Sequence, residues 1–395
     1  MLKGKSILLG ITGSVAAYKS IDIIRRLKQE GASVRVIMTE ASKRFVTPLS
    51  VELAAGERVY TDMFEIPLSH VNLPASADFF VVAPATANSI SKYAHGIADD
   101  MLGTTLLAFI GRPEMVLMAP AMNWRMYENP VFQKNLNSLV SLGVKFVGPD
   151  RGSLACGEEG IGRMAAIEKI MEAIIAAFTK QDLAGEHVLV TAGPTREYID
   201  PVRYISNRSS GKMGYALART ARRRGAEVTL ISGPVSIRPP EGVDVIFAES
   251  SQDMFTAVMD NIPMSSLFIM SAAVADFRVA EPNTSKIEKR DRFSLNLLKT
   301  ADILEAAGKL KKRPYTAGFS AETGPRIDRA RRKLTAKNID MIVFNDVSGK
   351  GSGFDVDTNE VIIIDREGER KLPVMEKDDV AAAIFDRILE LKYNS

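Results

Sequence analysis

The sequence predicts an α/β protein built as two tandem three-layer domains, and two observations carry that prediction. The segment GKSILLGITGSVAAYKSIDIIRRLKQEGASVRVIMT, residues 4–39, reads as a short apolar strand, a Gly-rich turn, an amphipathic helix and a second strand. The same phrase returns from GEHVLVTAGPT at residue 185 through GKMGYALARTARRRGAEVTLISGP to residue 234. A β-turn-α-β opening starts a parallel sheet with right-handed crossovers, so its repetition implies two sheets.

In the first domain, FFVVAPATANSISKYA (79–94) and MVLMAPAMNWRMY (115–127) each run from a strand into a loop at an Ala-Pro step. Ligands of open α/β sheets bind beyond the carboxyl ends of the strands. These two loops and the turn GITGSVAAYK are therefore expected to line one rim. Ile167, Ile170, Met171, Ile174, Ile175 and Phe178 recur at helical spacing and predict the closing helix of this domain. The polar TKQDLAG that follows marks the boundary, giving domains over 1–184 and 185–395. In the second domain, SLFIMSAAVADF (266–277) repeats the strand-to-loop pattern. AEPNTSKIEKRDRF (280–293) reads as a mobile polar loop. TAGFSAET, the basic helix PRIDRARRKLTAKN and strand MIVFN come next. GKGSGFDVDTNEVIIID reads as a hairpin, and a C-terminal helix ends the chain.

Composition narrows the function classes. At 395 residues, 46% hydrophobic and 25% charged, the chain is an ordinary globular protein with room for two cores. A net charge of +3 is too small to argue for nucleic acid. No run approaches the roughly 18–20 apolar residues of a membrane span, and the N-terminal apolar run is too short for a signal peptide. One cysteine excludes an intrachain disulfide. The expected location is the cytoplasm. The basic clusters at 222–224, 309–314 and 329–337 read as solvated helix faces or as part of a site for a phosphorylated small molecule.

Local chemistry is sparse. GITGSVAA places backbone N–H groups and Ser14 where a phosphate would sit, at a helix N-terminus. It lacks the G-x-G-x-x-G spacing of a dinucleotide site. Of the three histidines, His187 falls inside a strand and reads as structural. His70 precedes the strand leading to the first Ala-Pro loop and is suited to proton exchange near neutral pH. No His, Cys or acid group shows metal-ligand spacing. The lone Cys156 lies among Gly152, Gly157, Gly160 and Gly162, unlike a packed core thiol.

The combination is more specific than its parts. GSVAAYK, His70, PATANSISK, PAMN at 120–123 and ACGEEGIGRMA at 155–165 resemble the flavin-dependent cysteine decarboxylases. TAGPTREYIDPVRYISNRSSGKMG, SAAVADF, KIEK, GFSAET and KLTAKNID resemble phosphopantothenate–cysteine ligase. Fused in this order over roughly residues 4–390, they resemble the bacterial bifunctional coenzyme A biosynthesis proteins. The resemblance implies a flavodoxin-like flavoprotein domain followed by a Rossmann-like ligase domain.

For the first domain, the resemblance implies FMN held by Gly13, Ser14, Thr39, Thr86, Asn88 and Ser89. Oxidation of the substrate's cysteinyl thiol gives a thioaldehyde β to the carboxylate, so CO2 leaves an ene-thiolate instead of an unstabilised carbanion. Cys156 matches the proton donor to that species, His70 the group assisting thiol deprotonation, and Asn123 the carboxylate binder. For the second domain, the resemblance implies attack of the 4′-phosphopantothenate carboxylate on the α-phosphorus of CTP. Cysteine's amine then displaces CMP from the acyl-cytidylate. Mg2+ would bind at Asp276. Ala272, Ala273, Asp276, Lys286, Asp302, Ile303, Phe319, Lys333 and Lys337 match the nucleotide positions. Lys333 and Lys337, four apart, are expected to form a paired grip on phosphates. Asn207 matches the residue handling the acyl-cytidylate, with Arg203 assisting, and Lys286 and Asn207 are the catalytic candidates. Homo-oligomers built on trimers of the first domain are also implied.

Two departures stand out. Glu288 interrupts the lysine loop, commonly KIKK, and TADIL (300–304) replaces an expected Asn-Pro before Asp302 and Ile303. Two rivals remain: a nicotinamide dehydrogenase, opposed by the missing fingerprint, and a non-catalytic flavin-binding regulator. The regulator would not need Cys156, Lys286 and Asn207 together.

Overall fold

The computed structural model describes residues 1–153, 157–289, 291–322, 324, 327–346, 353 and 356–393. The chain forms two compact units, Met1–Thr179 and Lys180–Ser395.

The first unit is a parallel sheet of β1 (Ser6–Ile11), β2 (Ser33–Met38), β3 (Val59–Tyr60), β4 (Phe79–Ala85), β5 (Val116–Pro120) and β6 (Lys145–Phe146). Its strands lie in the order β3-β2-β1-β4-β5-β6. Strand side chains alternate between the two faces, and both faces are covered. Ile7, Leu9 and Ile11 of β1 join Phe79 and Val81 of β4 in one core. Leu8 joins Phe80, Val82 and Met118 in the other. Near-continuous apolar strands such as FFVVA are the mark of a sheet buried on both sides. Helix Ser20–Gln29 buries Ile23, Ile24 and Leu27 against the first core. Helix Ile167–Phe178 adds Ile170, Met171, Ile174 and Ile175 to it.

The second unit repeats the order. Strands β7 (His187–Ala192), β8 (Glu227–Ser232), β9 (Asp244–Phe247), β10 (Leu267–Met270), β11 (Tyr315–Glu322) and β12 (Met341–Asp346) run parallel as β9-β8-β7-β10-β11-β12. Two antiparallel strands, β13 (Val361–Asp365) and β14 (Glu369–Lys371), extend the edge. The hairpin expected within 349–365 therefore differs: β13 takes β12 and β14 as partners, while residues 347–352 and 354–355 lie outside the described set. The reason is register. Val361 and Ile363 face one core and Ile364 the other, so β13 behaves as a sheet strand buried on both sides.

Helix Lys212–Arg223 and the C-terminal helix Lys377–Tyr393 pack on one face through Tyr215, Leu217, Val380, Ile384, Phe385 and Ile388. In the basic cluster at 222–224 Arg222 is exposed, but the other two arginines are not on a solvated face. Arg224 is buried, with its guanidinium 2.7 Å from both Asp182 and Asp386. Arg223 reaches Asp378 at 2.9 Å, and Lys392 reaches Glu186 at 2.7 Å.

Candidate functional site

Each unit opens a cavity where its strand order reverses, between β1 and β4 in the first and between β7 and β10 in the second. Flanking loops there leave to opposite sides of the sheet and part to form a crevice.

The first cavity, about 960 Å3, is bounded by the Gly13–Lys19 turn, by Thr39–Ala41 after β2, and by the two Ala-Pro loops. Buried Thr12 ties the turn to the β4 exit, donating to the Pro84 carbonyl at 2.8 Å and accepting from the Thr86 N–H at 3.0 Å. Gly13 is required by close approach, because a Cβ there would lie 2.5 Å from the Ala41 Cβ. Ser14 caps the short helix Val15–Lys19 by accepting from the Ala16 N–H. Thr86 caps helix Ala87–Ala94 by accepting from the Ser89 N–H. Asn123 caps helix Trp124–Tyr127 by accepting from the Arg125 N–H at 2.9 Å.

Gly13, Ser14, Thr39, Thr86, Asn88, Ser89 and Asn123 thus line one cavity. Helix-starting N–H groups and hydroxyls suit a phosphate, and Val15, Phe45, Met122, Met126 and Met164 give apolar walls for a flat ring system. His70 is not among the lining residues. It sits on helix Ser69–Ala75, and its buried Nδ1 meets no hydrogen-bond partner among the described residues. Cys156 lies outside the described residues. The strands beside it, Asp150–Ser153 and Glu159–Arg163, pair antiparallel. The second strand is bound to the Asn123 loop by the Met122 N–H to Gly162 carbonyl bond at 2.9 Å. Sequence reasoning missed Lys92, which lines the cavity and holds Asp99 at 2.7 Å. That hydrogen bond keeps the Asp99 carboxyl below the usual aspartate range. Lys92 is six residues past Thr86 on a capped helix, a placement visible in the sequence.

The second cavity, about 440 Å3, gathers Asn207, Ala272, Ala273, Asp276, Asp302, Ile303, Phe319 and Lys337. Gly211, at φ +75°, turns the chain into helix Lys212–Arg223, whose first residues face the cavity. Gly214 lets that helix lie against β7, since a Cβ would sit 2.5 Å from the Ala192 Cβ. Ala273 N–H donates to the Gly193 carbonyl at 2.9 Å and Ala275 N–H to Thr195 Oγ1 at 3.0 Å, fixing the AAVAD loop. Asn207 Nδ2 donates to the Val274 carbonyl at 2.9 Å.

The lysines separate. Lys337 Nζ lies 2.7 Å from Asp302 inside the cavity. Lys333 is 3.0 Å from Glu322 and 3.0 Å from Ser320 Oγ, outside the lining. The expected paired grip is not formed, because the helix stops at Ala336 and the β11 carboxylate draws Lys333 aside. Burial works to raise the Asp302 carboxyl, but the hydrogen bonds from Lys337 and the Glu305 N–H outweigh it and hold it low. Lys286 is exposed and outside the lining. Arg203 is engaged by Asp200. Lys212, Lys299 and Lys377 also line the cavity and were not read from the sequence. Lys212 lies within the quoted motif ending GKMG and Lys299 just before TADIL, so both were within reach of the sequence, whereas Lys377 is brought in only by the fold. Among the described residues no group of three or more His, Cys, Asp or Glu stands ready for a metal ion. Nor is any helix among them long and apolar enough to cross a membrane.

Residues 1–179 match the family described as Flavoprotein. Residues 183–391 match the DNA/pantothenate metabolism flavoprotein C-terminal domain. The chain is 44% identical over 396 residues to the coenzyme A biosynthesis bifunctional protein CoaBC of Haemophilus influenzae, covering 98% of each chain. To the Bacillus subtilis protein of the same name it is 46% identical over 401 residues, covering 99% of this chain and 98% of that one. A crystal structure of the C-terminal domain of a CoaBC protein aligns with 38% identity and a TM-score of 0.48, over 55% of this chain and all of that one.

Proposed function

The chain belongs to the bifunctional coenzyme A biosynthesis proteins, which carry phosphopantothenoylcysteine decarboxylase and phosphopantothenate–cysteine ligase activities, and from that premise we propose how its two cavities divide the work. The first unit decarboxylates and the second ligates.

FMN, bound in the first cavity by Gly13, Ser14, Thr39, Thr86, Asn88 and Ser89, supplies the oxidation and re-reduction that make loss of CO2 feasible. The Asn123 amide binds the substrate carboxylate, His70 takes the proton from the substrate thiol, and Cys156 returns one after CO2 has left. His70 lies outside the lining of the first cavity, and a second copy would bring it to one. Around it Phe64 is 85% and Leu68 63% exposed, an apolar surface that a neighbouring copy would cover. Trimers of this unit meet both needs.

In the second cavity, 4′-phosphopantothenate and CTP form the acyl-cytidylate, and cysteine displaces CMP. The N–H groups that open helix Lys212–Arg223, together with Lys337, Lys299 and Lys212, offset the triphosphate charge. Asp276 is a single carboxylate, which suits Mg2+ held mainly by substrate phosphates. Asn207 orients the mixed anhydride and Lys286 joins from its loop.

The observation that supports this division is that the first cavity sets Val15, Phe45, Met122, Met126 and Met164 beside its hydroxyls and three cations, whereas the second sets five cations around a helix N-terminus, each cavity gathering motif residues of its own. The test is product analysis by mass spectrometry after supplying 4′-phosphopantothenate, cysteine, CTP and Mg2+. Phosphopantetheine is expected, and Cys156→Ser should stall after CO2 release. Wild-type product stopping at phosphopantothenoylcysteine would overturn the role given to Cys156. Untouched CTP would overturn the ligase reading of the second cavity.

A further inference from the structure

The polar segment 280–289, which its composition marks as a mobile loop, is tied down at two points. Asn283 N–H donates to the Ile199 carbonyl at 2.9 Å. Ile287 is held on both sides of its peptide: its N–H donates to Asp200 Oδ2 at 3.1 Å and its carbonyl accepts from Arg203 Nη2 at 2.8 Å. Asp200 is the hub. Its side chain is fully buried, and its Oδ1 accepts the Val202 and Arg203 N–H groups at 2.9 Å each. Its Oδ2 accepts Arg203 Nε at 3.0 Å as well as Nη2. A buried carboxylate is tolerated only when fully satisfied, and the Ile287 N–H supplies one of those bonds. The Arg203 guanidinium, helped by the Ile287, Val202 and Arg203 N–H groups, holds the Asp200 carboxyl far below the usual aspartate range, so it stays charged.

The clamp matters because of where the segment begins and ends. Strands Phe277–Val279 and Leu297–Lys299 pair antiparallel, and Asp276 and Lys299 at their roots line the second cavity. Lys286 is the immediate neighbour of the clamped Ile287. We propose that Asp200, acting through Arg203 and the Ile287 peptide, is a positioning residue that fixes the pivot from which Lys286 reaches the ligase cavity. Arg203 thereby serves the loop through Asp200 and the Ile287 carbonyl. The inference rests on the ligase reading of Lys286, and its test separates the two.

Asp200→Asn keeps the shape of the side chain, but removes its charge and places a donor where an acceptor is needed. In the full-length chain, trypsin cleavage after Lys286 and Lys289, followed by mass spectrometry, should accelerate by about tenfold while cleavage elsewhere in the second unit is unchanged. Ligase turnover should fall by about tenfold or more. In a Lys286→Ala background the same substitution should cost no further activity, which general damage to the fold would not predict. Unchanged cleavage, or an equal loss in both backgrounds, would overturn the proposal. Full ligase activity in Lys286→Ala alone would overturn the role given to Lys286, leaving cleavage to judge the clamp by itself.

Discussion

The two units share a strand order and a place for their cavity, yet they fill that place with opposite chemistry. In the first, the β1 and β4 exits present hydroxyls, caps and apolar walls, Lys19 and Arg163 also line the cavity, and Lys92 is paired with Asp99. In the second, the corresponding exits of β7 and β10 present a helix N-terminus and lysines, with Asp302 holding Lys337 in readiness. The lesson is that the doubly wound sheet dictates where a ligand binds, while residues on the loops decide whether it is a flat ring or a polyphosphate.

The sharpest way to break the comparison is to fill the two close approaches separately. Gly13→Ala puts a methyl 2.5 Å from the Ala41 Cβ and Gly214→Ala puts one 2.5 Å from the Ala192 Cβ. Each overpacked site should cost about 1–3 kcal/mol. Gly13→Ala should abolish flavin absorbance in the purified chain and spare ligation. Gly214→Ala should abolish ligation and spare the flavin. Loss of both properties in either variant would show that the cavities are not independent.

Lys337→Met sharpens the electrostatic side. It removes a cavity cation and leaves Asp302 without its 2.7 Å partner. A lost charge-assisted contact is worth about 1.5–3 kcal/mol, so KM for CTP should rise roughly ten- to hundredfold. Decarboxylation of supplied phosphopantothenoylcysteine should be unchanged, and any fall there would count against the division of labour.

Acid should separate the units more gently. In the second, burial acts to raise the Asp378 and Asp365 carboxyls, but Arg219 with Arg223 and Arg387 outweigh it and hold both low. In the first, Lys92 holds the exposed Asp99 carboxyl low. A carboxylate depressed on folding contributes stability above its ordinary value of 3.8 and loses it as pH falls toward the lower folded value. Below about pH 4 the second unit should therefore unfold first. Trp124, the single tryptophan, lies in the first unit, so its fluorescence should change after part of the circular dichroism signal has gone. The reverse order would overturn this reading.

Much of this was legible in the sequence because it is local. The repeated strand-turn-helix phrase, the helical spacing of Ile167 to Phe178 and the Ala-Pro strand ends are short-range patterns, and they located both sheets and the loops around each cavity. Contacts made by charge across the fold were not legible. Spacing put Lys333 and Lys337 on one helix face, but Glu322 and Asp302, on different elements, pull them apart. Composition marked 280–293 as a mobile loop, and a buried aspartate eighty-seven residues before Ile287 ties that residue down. Arg223 and Arg224 of the cluster at 222–224 read as solvated, but Asp182, Asp378 and Asp386 are their partners.

Those last partners bear on how such a chain is assembled. Asp182 and Glu186 stand at the entrance of the second unit, Asp386 and Lys392 at its exit, and Arg224 and the Lys392–Glu186 pair staple the two ends to one body. A break in the chain near residue 179 would sever none of these ties. The ligase half is thus a self-contained cassette, closed at its own seam, and a gene that encoded it separately would forfeit none of them.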